Sequence, residues 1–153
     1  MSKKSLVVPA LAVVLAAPAS AAGDPVAAVK ADAANLTTDA TALHDAALVD
    51  LQKLAADAQA AKGGSKDAAL ATLRADRQKL RADRQALIGS VKTDRRQLKA
   101  DLQVARDAKV GKAELRPVLK ELRTTLRKQR QEVRTALRAA RQAVRELRAS
   151  FRK

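Results

Sequence analysis

The chain has 153 residues, with 31 lysines and arginines against 16 acids and a formal net charge of +15. It contains no Cys, Trp or Tyr, one Phe and one His, which excludes disulfides, a thiolate nucleophile, a Cys-built metal site and a core of aromatic bulk. Alanine, leucine, arginine and aspartate dominate, a composition of long helices and coiled coils.

The first stretch, MSKKSLVVPALAVVLAAPASAA, predicts a signal peptide over residues 1–21. Lys3 and Lys4 form a positive start, Leu6 to Ala17 is a short apolar run, and Ala19-Ser20-Ala21 is a small-residue cleavage site; cleavage after Ala22 fits equally well. The run falls short of the roughly 20 residues that span a bilayer. No cysteine follows it to carry a lipid, so the expected destination is periplasmic or extracellular.

The mature chain reads as one helical domain, 22–153. A first, Ala-rich acidic helix is predicted within 22–64. Asp24-Pro25 opens it, because Asp caps free N–H groups and Pro loses nothing at the first helical position. Apolar residues recur at Val26, Val29, Ala33, Leu36, Ala40, Leu43 and Ala47, and after a phase slip at Leu51, Leu54, Ala58 and Ala61. Thr37-Thr38-Asp39 offers a second start signal, so a break near residue 38 competes with a continuous helix. His44 reads as a solvated side chain.

Gly63-Gly64-Ser65 ends this helix, with Ser65 as the expected cap of the next. The second helix occupies 65–110. Its seam reads Leu70, Leu73, Asp76, Leu80, Asp83, Leu87, Val91, Asp94, Leu98, Leu102 and Ala105, and LRADRQ occurs at 73–78 and again at 80–85. A bare carboxylate in a dry seam is costly, so Asp76, Asp83 and Asp94 are expected to be half-exposed and to reach arginines of a neighbouring helix. Gly89-Ser90 is a candidate kink. Gly111 marks the second turn, and Pro117 places the regular start of the third helix (111–153) near Glu114 to Arg116 or bends it there.

The triplet ELR occurs at 114–116, 121–123 and 146–148, with EVR at 132–134. Successive residues turn by about 100°. The third helix therefore predicts an apolar seam of Leu119, Leu122, Leu126, Val133, Leu137, Ala140, Val144, Leu147 and Phe151. Beside it runs a basic ridge of Arg116, Lys120, Arg123, Arg127, Arg130, Arg134, Arg138, Arg141, Arg145, Arg148 and Arg152. Acid on one flank and base on the other is what a coiled-coil seam offers its partners. Charge is segregated along the chain: residues 22–65 carry three Lys against six Asp, whereas residues 66–153 carry 26 basic residues against ten acids.

Three breaks-delimited helices of similar length predict an all-α, up-down-up antiparallel bundle; a two-helix hairpin with a loose first helix is the alternative. One histidine and strung-out acids offer no convergent catalytic or metal-ligating set, so neither an enzyme nor a cofactor is expected. The missing aromatics argue against base stacking, and sequence-specific nucleic-acid recognition is not expected. In size, export and helicity the chain resembles the small, basic periplasmic chaperones and metal sensors of the LTXXQ class. That likeness implies a cradle for unfolded clients. Here Leu36-Thr37 is followed by Thr38-Asp39-Ala40, so the name-giving motif is absent and no residue is carried over. The expected function is an exported, non-enzymatic helical-bundle protein with a structural or interaction role in the bacterial envelope. The alternative is a polyanion- or client-binding protein using the basic ridge. Candidate partners are an anionic polymer, an anionic lipid surface or a protein client, and the seams serve either an intramolecular bundle or a homo-oligomer.

Overall fold

In the computed structural model, which describes residues 23–152, Asp24 Oδ1 accepts a hydrogen bond from the Val26 amide at 2.9 Å and Pro25 is the first helical residue. Helix α1 (Pro25–Ala60) then runs unbroken through residue 38. The hydroxyls of Thr37 and Thr38 donate back to the carbonyls of Ala33 and Ala34 instead of starting a new helix. Helix α2 (Lys66–Asp107) is continuous through Gly89-Ser90, and helix α3 (Lys112–Ser150) completes the bundle. At 1.5 Å per residue the rods are about 54–63 Å long. The expected signal peptide lies outside the described residues.

The turns are built by different residues than the glycine count suggests. Gly63 takes the left-handed conformation, φ +85°, that releases the chain from α1. Ser65 stands at the start of α2, but its hydroxyl makes no capping bond. At the end of α2 the left-handed residue is Lys109, φ +57°, not Gly111. The Val110 amide donates to Ala105 and the Lys109 amide to Arg106, both at 2.9 Å, which closes a Schellman motif. Helix α3 starts at Lys112, two residues earlier than Pro117 suggested, so the proline sits in its second turn and leaves the Ala113 carbonyl without its i+4 donor.

Helix α1 is the centre. It runs antiparallel to α2, pairing Asp50 with Lys79 and Lys53 with Asp76, and parallel to α3, pairing Thr41 with Gln129, His44 with Glu132 and Lys62 with Glu146. Both α2 and α3 pack on α1, whereas no Cα atoms of α2 and α3 approach within 8 Å. The bundle is thus up-down-up, and the first helix, far from loose, is the element on which the other two rest. Charge explains this order: α1 carries two Lys against five Asp, α2 eleven basic residues against six Asp, and α3 twelve against four Glu. Two basic helices repel each other and share an acidic one.

The core is split in two. One cluster gathers Val26, Val29, Ala33 and Leu36 of α1 with Val91, Leu98 and Ala105 of α2 and Leu115 and Leu122 of α3. The other gathers Leu51, Leu54 and Ala58 with Ala69 and Leu73 and with Ala140, Ala143, Val144 and Leu147. In α2 the inward position is Ala69, with Leu70 only half-buried.

Along the α1/α2 seam, Asp32 faces Asp101 and Asp94. Burial first, and then the neighbouring Asp101 and Asp94, push the Asp32 carboxyl up to about 6. Asp94 is raised as well, by burial and by Asp39. A carboxyl whose folded pKa is raised binds more protons in the folded state, so its contribution to stability falls as pH rises from the unfolded value of 3.8 through about 6. Asp57 and Glu146, held low by Lys53 and Lys62, lose their stabilising contribution only at more acidic pH. The melting temperature is therefore expected to rise as pH is lowered from 7 to about 5, and Asp32→Asn to raise it at pH 7 and flatten that dependence. A pH series of thermal melts on both proteins checks this. Lys109→Gly, which removes a side chain from a left-handed position, is expected to stabilise the chain by about 1 kcal/mol in urea unfolding.

Candidate functional site

The two core clusters leave a gap between them. No residue of α1 between 41 and 49 is buried, nor any of α2 between 77 and 90, nor any of α3 between 123 and 139. These three stretches lie at the same height in the bundle. Alanines face the gap from α1 (Ala40, Ala46, Ala47), and their side chains are too short to fill the space between α2 and α3. The result is a groove of about 530 Å³, within the range of roughly 300–1,000 Å³ typical of small-molecule sites.

The floor of the groove is apolar. Leu43 and Leu51 reach it from α1, Leu80 and Val91 from α2, and Leu126, Val133 and Leu137 from α3. Five arginines line it from the two outer helices: Arg81, Arg84 and Arg95 on α2, Arg130 and Arg134 on α3. Its acids are already engaged, since Lys79 bonds both Asp50, at 2.9 Å, and Asp83.

His44 stands on the α1 wall. Its side chain is only 11% exposed, contrary to the solvated reading, because it lies between α1 and α3. Nδ1 meets Asp45 Oδ1 and Nε2 meets Glu132 Oε2, each at 2.8 Å. A carboxylate only accepts, so both contacts are hydrogen bonds when the ring is protonated. One turn away, Gln129 Nε2 donates to Thr41 Oγ1 at 2.8 Å. Further along, Lys62 Nζ donates to Glu146 Oε2 at 2.8 Å, with Gln59 joining at 3.4 Å. Two of the four repeated triplet glutamates, Glu132 and Glu146, thus tie α3 to α1, as flanking acids of a seam do.

The residues of the predicted α3 seam differ in depth. Leu122, Ala140, Val144 and Leu147 are buried, and Leu119, Leu126, Val133, Leu137 and Phe151 are half-buried. Ala143, absent from that reading, is buried too. All eleven ridge residues, Arg116, Lys120, Arg123, Arg127, Arg130, Arg134, Arg138, Arg141, Arg145, Arg148 and Arg152, are exposed. Among the described residues every ion pair is made by Lys or His; no arginine has a carboxylate oxygen within 4.0 Å.

The expectation that Asp76, Asp83 and Asp94 reach arginines is overturned by the same pairs. Asp76 is buried at 7% exposure and pairs with Lys53 at 2.8 Å, Asp83 pairs with Lys79, and Asp94 faces Asp39. The reason is angular. Lys53 and Lys79 each follow a seam aspartate by three residues and stay beside the α1/α2 seam, whereas each arginine directly after a seam residue is rotated about 100° away. A signal for this was present: DLQKLAAD at 50–57 and DRQKLRAD at 76–83 share the pattern D-x-Q-K-L-x-A-D. In each copy the lysine bridges its own last aspartate and the first aspartate of the other copy.

No cluster of three or more His, Asp or Glu suited to a metal ion occurs among the described residues, and none of their helices is long and apolar enough to cross a membrane. Compared with protein-family models, curated proteins and solved structures, the chain shows no significant match.

Asp50 is 3% exposed, and Lys79 is the cation beside it. Lys79→Met is expected to lower stability by leaving a buried carboxylate uncompensated, and Asp50→Asn in that background to restore most of the loss. A double-mutant cycle in urea measures both.

Proposed function

We propose that the mature chain is an exported, non-enzymatic interaction protein of the bacterial envelope that binds an anionic partner through the arginine face of α3. The supporting observation is the combination of exposure and isolation. The ridge presents ten arginines and one lysine to solvent along about 54 Å of helix, and none of these arginines spends its charge on an internal acid. Like charges at three-and-four spacing repel one another unless acids are interleaved with them. On α3 the four glutamates lie on the opposite flank, and two of them are committed to α1.

Such a surface attracts polyanions by charge without selecting among sequences. Anionic polymers, anionic lipid surfaces and acidic protein clients of the envelope all offer the required charge density. A purely structural role draws on the same bundle but leaves the unpaired guanidinium groups unused, so the binding reading is the better supported of the two.

Retention on immobilised heparin tests it. The wild-type chain is expected to bind at low salt and to elute as ionic strength rises, because the contacts are screened. The triple variant Arg134→Glu/Arg141→Glu/Arg148→Glu is expected to elute at markedly lower salt with its helical circular dichroism unchanged. Equal retention of the two proteins rules out the ridge.

A further inference from the structure

We infer that the groove at mid-bundle is a binding site for a single-chain anionic amphiphile, of the class of a medium-chain carboxylate, with its tail on the apolar floor and its headgroup among the arginines. This goes beyond the ridge reading and stands without it.

Shape comes first. Both ends of the groove are closed by core clusters to which all three helices contribute, so it is a pit and not an open channel. The pit spans α1 from Ala40 to Leu51, twelve residues, or about 18 Å of helix. A docked partner helix would need the end clusters to part. One alkyl chain lying parallel to α1 needs no such rearrangement. Its methylenes would meet Leu43, Leu80, Leu126, Val133 and Leu137, which the present packing leaves only half-buried.

Charge then selects the headgroup. Arg81 and Arg84 approach from α2 and Arg130 and Arg134 from α3, all exposed and without carboxylate partners, and they outnumber Asp50 and Asp83, which share Lys79. A carboxylate reaching these guanidinium groups gains charge-assisted, bidentate bonds. It also relieves the repulsion between the two basic helices, whose backbones stand more than 8 Å apart. A cationic headgroup on the same tail meets a lining in which five arginines outweigh two aspartates that share a lysine, and is repelled on balance. A second copy of this chain, itself at +15, is likewise a poor occupant.

The test is calorimetric titration of the full chain with dodecanoate below its aggregation concentration, alongside dodecyltrimethylammonium and inorganic phosphate. Saturable binding of dodecanoate near one per chain is expected, with no binding of the cationic amphiphile and at most weak binding of phosphate. Ala47→Leu, which fills the floor, is expected to weaken dodecanoate at least tenfold while leaving the melting temperature equal or higher. Arg81→Gln/Arg84→Gln, at exposed positions off the α3 ridge, is expected to weaken it severalfold without changing heparin retention, so the groove and the ridge are judged separately. The proposal is overturned if dodecanoate does not saturate, if both variants bind it like the wild type, or if the cationic amphiphile binds equally well. It is also overturned if sedimentation shows a dimer that Ala47→Leu abolishes, since a second copy is then the occupant.

Discussion

The bundle depends on one acidic, slender helix held between two basic ones. Without α1, α2 and α3 have no reason to associate, since both carry large positive excesses and their backbones stay apart even in the folded chain. Alanine lets the flanking helices approach α1 closely, and the aspartates of α1 give them something to approach. The same two properties account for the weak points. Alanine buries little area, so at mid-height the core thins to side chains that are only half-buried. Aspartate, set into a seam that also contains aspartates from α2, makes part of the α1/α2 contact dependent on protons.

Two kinds of basic residue divide the work. Lysines 53, 62 and 79 form the interhelical bridges to the carboxylates of Asp76, Glu146 and Asp50. Arginines, all seventeen of them from residue 74 onward, point elsewhere. Every ion pair among the described residues is therefore made without a guanidinium group, and unpaired arginines line both the outer face of α3 and the lips of the groove. That separation is why the ridge and the groove are distinct candidates for binding although Arg130 and Arg134 belong to both.

Most of the architecture was legible in the sequence. The breaks at Gly63 and Gly111, the three-and-four spacing of the seam and the position of the ridge all follow from local rules that the tertiary structure respects. What escaped was long-range. His44 looked solvated because nothing near it in sequence announces Glu132, eighty-eight positions on. Asp76 looked half-exposed because its cation comes from α1. The groove has no sequence signature at all, since it arises from three unremarkable mid-helix stretches arriving at one height. The left-handed turn at Lys109 was missed for a simpler reason: glycine normally fills that role, and Gly111 stood nearby as the obvious candidate.

The doubled D-x-Q-K-L-x-A-D segment also settles how the hairpin of α1 and α2 aligns. Exchange the two copies and the pattern of bridges maps onto itself, so each lysine is at once lock and key. Slide α2 by one heptad either way and Asp50 meets Ala86 or Thr72 in place of Lys79, an uncompensated anion in an apolar setting. Leucines alone would tolerate such sliding, because a coiled-coil seam repeats every seven residues. The reciprocal bridges act as a vernier that admits a single alignment, and the height at which the three hollow stretches coincide is fixed by that choice.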